Sequence, residues 1–436
     1  MKEYRFNTHT TRAFLEQLIE FSKGLGFFIL LDSNIHARGP QSAYNKGLHL
    51  HSYDWLAAFY PKRILALDSP TGAFELLEKF HQKKWLVGYL AYSLKADTEQ
   101  VFDSKPSAQG FGSMEFAEPG CIICCKGDEL VMLYDEKIVP SPQDLISQID
   151  AIKPQQQAPN GAVEVIPHIS REEYLAQVNS LKNHIQLGDI YEANYCMEFS
   201  AADAIINPYT TYKRLVSASP MPFATFVKTA GRYLLCASPE RFAKKEGSKV
   251  YSQPIKGTSP RGVDEATDKA NAEVLVSSEK ERAENVMIVD LVRNDLGRTA
   301  KVGSVKVDEL FGVYHFPKVH HMISTVSAEV EEGRGFAEVI KKAFPMGSMT
   351  GAPKIRAMQL IDKHEAGARG LFSGSVGYIT PEGDFDFNVV IRSIFYNEDT
   401  KRLWYWAGSA ITAKADAEQE YEECLLKLEA IRQVLS

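Results

Sequence analysis

The sequence predicts an α+β protein built on antiparallel sheets, and three observations carry that reading. Strand-like runs come in hairpin groups, as in 374–380 and 387–396 around "PEGD". Helical patterns fall between such groups without the strict alternation that marks a doubly wound parallel sheet. A chain of 436 residues, 44% of them hydrophobic, is ample for a large buried core.

From the N-terminus, "TRAFLEQLIEFSKGL" (11–25) has helical periodicity, while "GFFILLDS" (26–33) and "WLVGYLAYS" (85–93) read as strands. The six cysteines are Cys121, Cys124, Cys125, Cys196, Cys236 and Cys424. "CIICC" contains a C-x-x-C, but no second pair follows at zinc spacing, so its thiols are expected to be buried in a strand. The Pro-, Gln- and Gly-rich stretch 153–167 reads as a linker. It separates a region 1–152 from a unit 168–436 that holds nearly all the unusual motifs. That unit opens with a helix over 170–189, where Ser170 and Glu173 form a capping box and Tyr174, Val178, Leu181 and Ile185 make one apolar stripe. "RYLLCAS", "SGSVGYIT", "FNVVIRSIFY" and "RLWYWAGSA" follow as strands.

A net charge of −7 and a pI near 5.9 argue against a nucleic-acid binder. No apolar run approaches the ~18 residues of a membrane span, and "MKEYRFNTHTTR" lacks the apolar core of a secretion signal. The expectation is a soluble cytoplasmic protein.

Three groups of residues could carry chemistry. In the helix expected over 277–298, Glu281, Glu284, Ile288 and Leu291 share one face, which turns two carboxylates toward protein. In "DAEQEYEECLLKLEAIRQVL", Asp416 is the N-cap, Tyr421, Cys424, Leu425, Leu428 and Ile431 form the core face, and Glu420 and Glu423 stand at its border. Inward carboxylates repel unless protonated or bridged by a cation, and Mg²⁺ suits such a site; two ordinary acidic faces are the alternative. The second group binds anions. "FPMGSMTGAPKIRAMQLID" (344–362) is a Gly/Ser/Thr loop entering a helix, with Ala-Pro where a phosphate-binding P-loop needs Gly-Lys, so a carboxylate ligand is favoured. Arg392, the only charge in "FNVVIRSI", is expected inside, facing a substrate carboxylate or a structural acid. The third group is Lys256 in the turn-rich "YSQPIKGTSPRG" and Glu240 in "ASPERF". Shielding from water lowers a lysine's pKa and creates a nucleophile, and raises a glutamate's and creates an acid; a Lys256–Glu240 salt bridge between two loops is the plainer reading. His321 in "KVHHMISTV" alternates inward with Ile323, as a core histidine or a site contact.

Taken in order, "PIKGTSPRG", "RAENVMIVDLVRNDLGR", "GSMTGAPKIRAM", "SGSVGYI", "VIRSI", "AGSAI" and "EYEECLLK" resemble the chorismate-utilising enzymes, which include the first components of anthranilate and aminodeoxychorismate synthases and the isochorismate and salicylate synthases. The resemblance covers 168–436 strongly, and 1–152 is similar to the family's variable N-terminal region. It implies antiparallel sheets packed as a sandwich, helices outside, and an active site in the cleft between the halves, with 1–152 interlaced with the core. Lysine in "PIKGT" and the pair Ser348 and Thr350 in "GSMTGAPK" resemble the branch that aminates chorismate at C4, where anthranilate synthases carry Ala, Thr and Ser.

By that resemblance Lys256 attacks the substrate and Glu240 protonates the leaving hydroxyl, with His321 and Thr258 in the site. Arg392 and the backbone of Gly408, Ser409 and Ala410 hold carboxylate oxygens. Mg²⁺ falls to Glu284 and Glu423, with Glu281 and Glu420 supporting through water. Glu192 in "GDIYEANY" departs from the Gln of aminating relatives and the Lys of isochorismate synthases. Phe372 stands where anthranilate synthases often have Tyr. Ser33, Pro222, Phe223 and Ala224 resemble the lining of a pocket where L-tryptophan inhibits some relatives or fills a structural cavity in others. None of the six cysteines sits in a glutaminase elbow, so a separate class I glutamine amidotransferase is expected to supply ammonia.

Overall fold

A computed structural model describes residues 1–8, 10–34, 52–153 and 163–436. Most of the expected linker, 154–162, lies outside them. Among the described residues twenty strands join in one hydrogen-bonded network, and every pairing is antiparallel. Local hairpins account for some pairings, but the strands that hold the molecule together come from distant parts of the chain. Phe27–Asp32 lies between Trp55–Leu67 and Phe223–Thr229, and Leu86–Leu90 pairs with Ser375–Ile379. Residues 1–152 therefore share one sheet system with the rest. The remnant of the linker is tied in as well: Ile166–Pro167 pairs with Ser200 and Phe199.

Strand alternation puts a buried core on each face of the sheet. Phe28, Leu30, Trp55 and Ala57 point into one core, and their neighbours Phe27, Ile29, Leu56 and Ala58 into the other. This is why these strands read as continuous apolar runs rather than alternating ones. Helices Arg171–Gln186, Pro208–Ala218 and Lys354–His364 cover the first face, and Ala73–His81, Glu279–Gly297 and Phe336–Ala343 the second. The layered α+β architecture with helices outside is the one the sequence predicted.

Local signals were accurate where capping chemistry decided them. Ser170 and Glu173 form the capping box, and Asp416 caps Ala417–Lys427. Tyr174, Val178 and Leu181 are buried, with Ile185 half-buried. Cys121, Cys124 and Cys125 lie in the strand Met114–Lys126, and all six cysteines are buried free thiols. The stretch 387–396 is different. It forms two strands, Phe385–Asn388 and Ser393–Asn397, with a break between them, so Arg392 does not lie within a strand as expected.

Candidate active site

The chain backbone brings two loops and two helices to one point, where the helix Glu279–Gly297 of the second core meets Ala417–Lys427 of the first. Glu240 sits in the tight turn between strands Arg232–Ser238 and Arg241–Glu246. The turn is pinned on both sides. Ser238 Oγ accepts the Glu240 N–H at 3.2 Å, and Arg241 grips Asp386 through two hydrogen bonds of 2.9 and 3.0 Å. The Glu240 side chain is buried, and burial pushes its carboxyl up to about 7 against the pull of Ser348, Lys256 and Arg392.

Lys256 is the second residue of the strand Ile255–Pro260, which pairs with Val319–Glu329 through Ile255–Ile323 and Thr258–His321. The register slips between those pairs, and Gly257, at φ +95°, occupies the irregularity. A Cβ there would stand 3.0 Å from Glu281 Oε2 and 3.1 Å from Leu275, so the glycine permits the bulge that aims Lys256 inward. The Lys256 ammonium donates a 2.6 Å hydrogen bond to Glu192 Oε1. Its partner is thus Glu192, not Glu240. The expected fall in the lysine pKa is also reversed. Burial lowers it, but Glu192, Glu284 and Glu240 together outweigh burial and raise it. In the ligand-free protein Lys256 is an ammonium.

Glu192 opens the strand Glu192–Ala201 and is sandwiched between Ala352 and Thr412 of neighbouring strands. Its Oε2 is buried without a partner among the described residues. Ser348 and Thr350 lie in the loop that leads to Gly351–Ala352, both buried. The Thr350 hydroxyl donates to the carbonyls of Gly347 and Met346 at 3.1 and 3.3 Å, which shapes the loop. Pro353 caps the helix Lys354–His364.

His321 bridges Thr258 and Arg392. Arg392 Nη2 can only donate, so His321 Nε2 accepts at 3.2 Å and Nδ1–H faces Thr258 Oγ1 at 2.9 Å. Burial, reinforced by the Arg392 charge, holds His321 far below the usual histidine range, so the ring is neutral. Arg392 has φ +51°, a left-handed conformation that costs a non-glycine residue energy and clusters at functional sites. The break in the strand is what turns its guanidinium toward His321 and Glu240.

The four predicted metal-ligating carboxylates also converge, with different surroundings. Glu284 is buried; burial, with Glu192 and Glu281 adding and Lys256 opposing, pushes it up to about 7. One of its oxygens, Oε1, is buried without a partner among the described residues. Glu281 is half-buried and raised chiefly by burial, with Glu423 and Glu420 contributing. Glu420, 2% exposed, pairs with Lys280 at 3.3 Å across the two helices. Glu423 is open to solvent on one side; partial burial raises it, and Lys427 one turn on, at 2.7 Å, brings it below its usual range. Lys280 and Lys427 escaped sequence reasoning, although the spacing of Glu423 and Lys427 is that of a helical ion pair. Lys427 also donates to the Gly408 carbonyl at 2.8 Å. Among the described residues, the strand Arg402–Thr412 beyond Tyr405 pairs only with Glu192–Ala201, which leaves its other edge, at Gly408 and Ala410, without a strand partner there. Ser409, between them, is buried with its hydroxyl 3.1 Å from Tyr174 Oη. Phe372 stacks on Trp406, away from these groups, in the second core.

A second cavity lies apart from these residues. Ser33, Pro222, Phe223 and Ala224 line it with Tyr53 and Asn388, as the sequence expectation grouped them, around a volume of about 50 Å³.

The geometry has a counterpart among known proteins: residues 62–433 match the chorismate binding enzyme family. The chain belongs to that family. Among its relatives, aminodeoxychorismate synthase component 1 of Escherichia coli is 39% identical over 264 residues, 61% of this chain and 58% of that protein. Anthranilate synthase component 1 of Thermus thermophilus is 33% identical over 363 residues, 79% of this chain and 76% of that one. The chain spans from 29 to 63% of the length of the relatives named for aminodeoxychorismate synthesis. The crystal structure of anthranilate synthase component I from Streptococcus pneumoniae superimposes with a TM-score of 0.78 at 24% identity, covering 86% of this chain and 91% of that one, which establishes the shared fold.

For a chorismate-binding enzyme the acidic cluster fits a divalent cation in kind: its chemistry is that of a hard-ion site, all carboxylate oxygen, and Glu284 Oε1 is a buried acceptor without a partner among the described residues. In the protein alone no three of these carboxylates bring their oxygens within 4.8 Å of one another, so an ion would have to draw them together. In the protein alone Lys280 faces Glu420, Glu284 and Glu423, alongside Lys427 at Glu423 and Lys256 at Glu284.

Proposed function

We propose that this chain is component I of aminodeoxychorismate synthase, replacing the C4 hydroxyl of chorismate with an amino group through a lysine-bound intermediate. The observation that carries the reading is the Lys256 side chain, 10% exposed, bonded to Glu192 and under the influence of the protonatable Glu240 and of Glu284 on the acidic helix. The Lys256 amine bonds to ring C2, both ring double bonds shift, and the C4–O bond breaks as Glu240 hands its proton to the departing oxygen, releasing water. Ammonia then bonds to C4, both double bonds return, and the C2–N bond breaks to free Lys256. The ammonia adduct gives its extra proton to Glu240, which restores the acid. A carboxyl with a pKa about 7 is matched to both duties near neutrality.

Arg392, kept charged beside the neutral His321, is placed to take a substrate carboxylate, as are the N–H groups of Gly408 and Ala410 on the open strand edge. Glu284 and Glu423, supported by Glu281 and Glu420, would hold Mg²⁺, whose charge would neutralise the ring carboxylate. The folded chain excludes water from Lys256 and Glu240, so the cationic intermediate meets ammonia first. The ammonia comes from a separate glutamine amidotransferase, and the product leads to para-aminobenzoate and folate. A role for L-tryptophan, as inhibitor or as structural filler, rests on the resemblance of Ser33, Pro222, Phe223 and Ala224, which line one cavity here, to the pocket of relatives.

The rival reading is anthranilate synthase component I, favoured by the Thermus relative's longer match. Chorismate, Mg²⁺ and ammonium incubated with the chain distinguish the two by chromatography. The expected product is 4-amino-4-deoxychorismate; anthranilate or isochorismate as the main product overturns the assignment.

A further inference from the structure

The reaction needs Lys256 as a free amine, yet the site holds it as an ammonium. The charged groups facing it are all acids: Glu192 from the strand Glu192–Ala201, Glu284 and Glu281 from Glu279–Gly297, Glu240 from its turn, and Glu423 from Ala417–Lys427. Each of them holds the proton in place. Among the described residues, only Glu192 makes an ion pair with it.

We propose that Glu192 is the proton acceptor that turns the Lys256 ammonium into the attacking amine, and the donor that returns this proton when the amine leaves. The inference rests on the lysine-bound reading above. Glu192 Oε1 lies 2.6 Å from Lys256 Nζ, within direct transfer distance. Glu192 is 1% exposed, and its second oxygen is buried with no hydrogen-bond partner among the described residues, so no neighbouring donor there competes for the carboxylate. One proton passing from Nζ to the carboxylate converts a buried ion pair into a neutral amine and a neutral carboxyl, removing two charges from a dry site. The balance closes over a turnover. Glu192 takes a proton before C2 is attacked and gives it back when the C2–N bond breaks, while Glu240 independently loses one to the departing hydroxyl and regains one from the ammonia adduct. The glutamine that aminating relatives carry at this position could hold the lysine by a hydrogen bond but could not accept its proton, so the proposed transfer is particular to a chain with glutamate there.

The test is Glu192→Gln, measured two ways. C4 amination of chorismate is expected to fall about a hundredfold at pH 7, a typical general-base contribution, with the deficit shrinking as pH rises toward the lysine range. Acylation of Lys256 by acetic anhydride without substrate, read by peptide mass spectrometry, is expected to speed up, because one anion fewer holds the proton on. A merely structural ion pair predicts that amination and acylation rise together. That result, or amination unchanged in Glu192→Gln, overturns the proposal. Glu192→Asp, which keeps a carboxylate, is expected to retain more amination than Glu192→Gln, and thermal melting of both variants separates misfolding from lost transfer. If the wild-type chain makes no 4-amino-4-deoxychorismate, the lysine-bound reading itself fails, and the acylation rates still report the Lys256–Glu192 contact.

Discussion

At the scale of single residues the site runs on carboxyls whose burial raises them to neutrality. Glu240 is useful as an acid only while protonated, and its pKa is about 7. Activity in kcat/KM is therefore expected to fall about tenfold per pH unit above that point. Glu240→Gln keeps the shape and removes the proton; it is expected to lose 10²–10⁴ in C4 amination and, with it, this alkaline limb. A Glu240→Gln enzyme with an intact limb would place the titration elsewhere. Lys256 and Glu240 were legible because each stands among Pro, Gly and Ser residues where a charge has no ordinary reason to be, although Lys256 lies within the strand Ile255–Pro260 and not in the loop its neighbours suggested. Glu192 as the lysine's partner was not, since 64 residues separate the two and the contact depends on Gly351–Ala352 pairing beside Glu192. Nor could sequence reveal that three acids outweigh desolvation at Lys256, a comparison that needs their positions.

At the scale of elements, the two acidic helices act as one unit. Glu284 is held protonated to about 7 in the protein alone, so a divalent cation must displace a proton to bind. Its folded value lies above the ordinary one, so the ligand-free protein binds that proton more tightly than the unfolded chain and loses this contribution as pH rises through 7. Calorimetric titration is accordingly expected to show Mg²⁺ affinity weakening about tenfold per pH unit below 7, with proton release on binding; a pH-independent affinity would exclude Glu284 as a ligand. The strand Arg402–Thr412 carries the second element-level device. A Cβ on Gly408 would lie 2.4 Å from Cys196 Sγ and 2.9 Å from the Tyr195 carbonyl. Gly408→Ala is thus expected to destabilise by about 1–3 kcal/mol in chemical denaturation and to displace the open edge beside the site. Helix faces, caps and the glutamate stripe were readable because period and capping are local. The break before Ser393 was not, because the alternation of "FNVVIRSI" continues through it while the backbone at Arg392 does not.

At the scale of the whole molecule, the interlaced sheet rules out independent halves. A fragment 168–436 would expose the edges of Phe223–Thr229 and Ser375–Ile379 that Phe27–Asp32 and Leu86–Leu90 cover. It is expected to aggregate or to melt without a cooperative transition in scanning calorimetry; a soluble fragment with a sharp melt would show that the N-terminal strands are dispensable. The order of motifs made the fold class and most of the site legible, whereas the pairing of residues 1–152 with the later strands is long-range and has no local signature. The central claim is that substrate becomes bonded to Lys256 inside this closed body. Intact-protein mass spectrometry after rapid quenching, with chorismate and Mg²⁺ present and ammonium withheld, tests it most directly. The account predicts an adduct of chorismate less one water, located on Lys256 and missing from Lys256→Ala; a wild-type enzyme that aminates C4 without ever carrying that mass would contradict it.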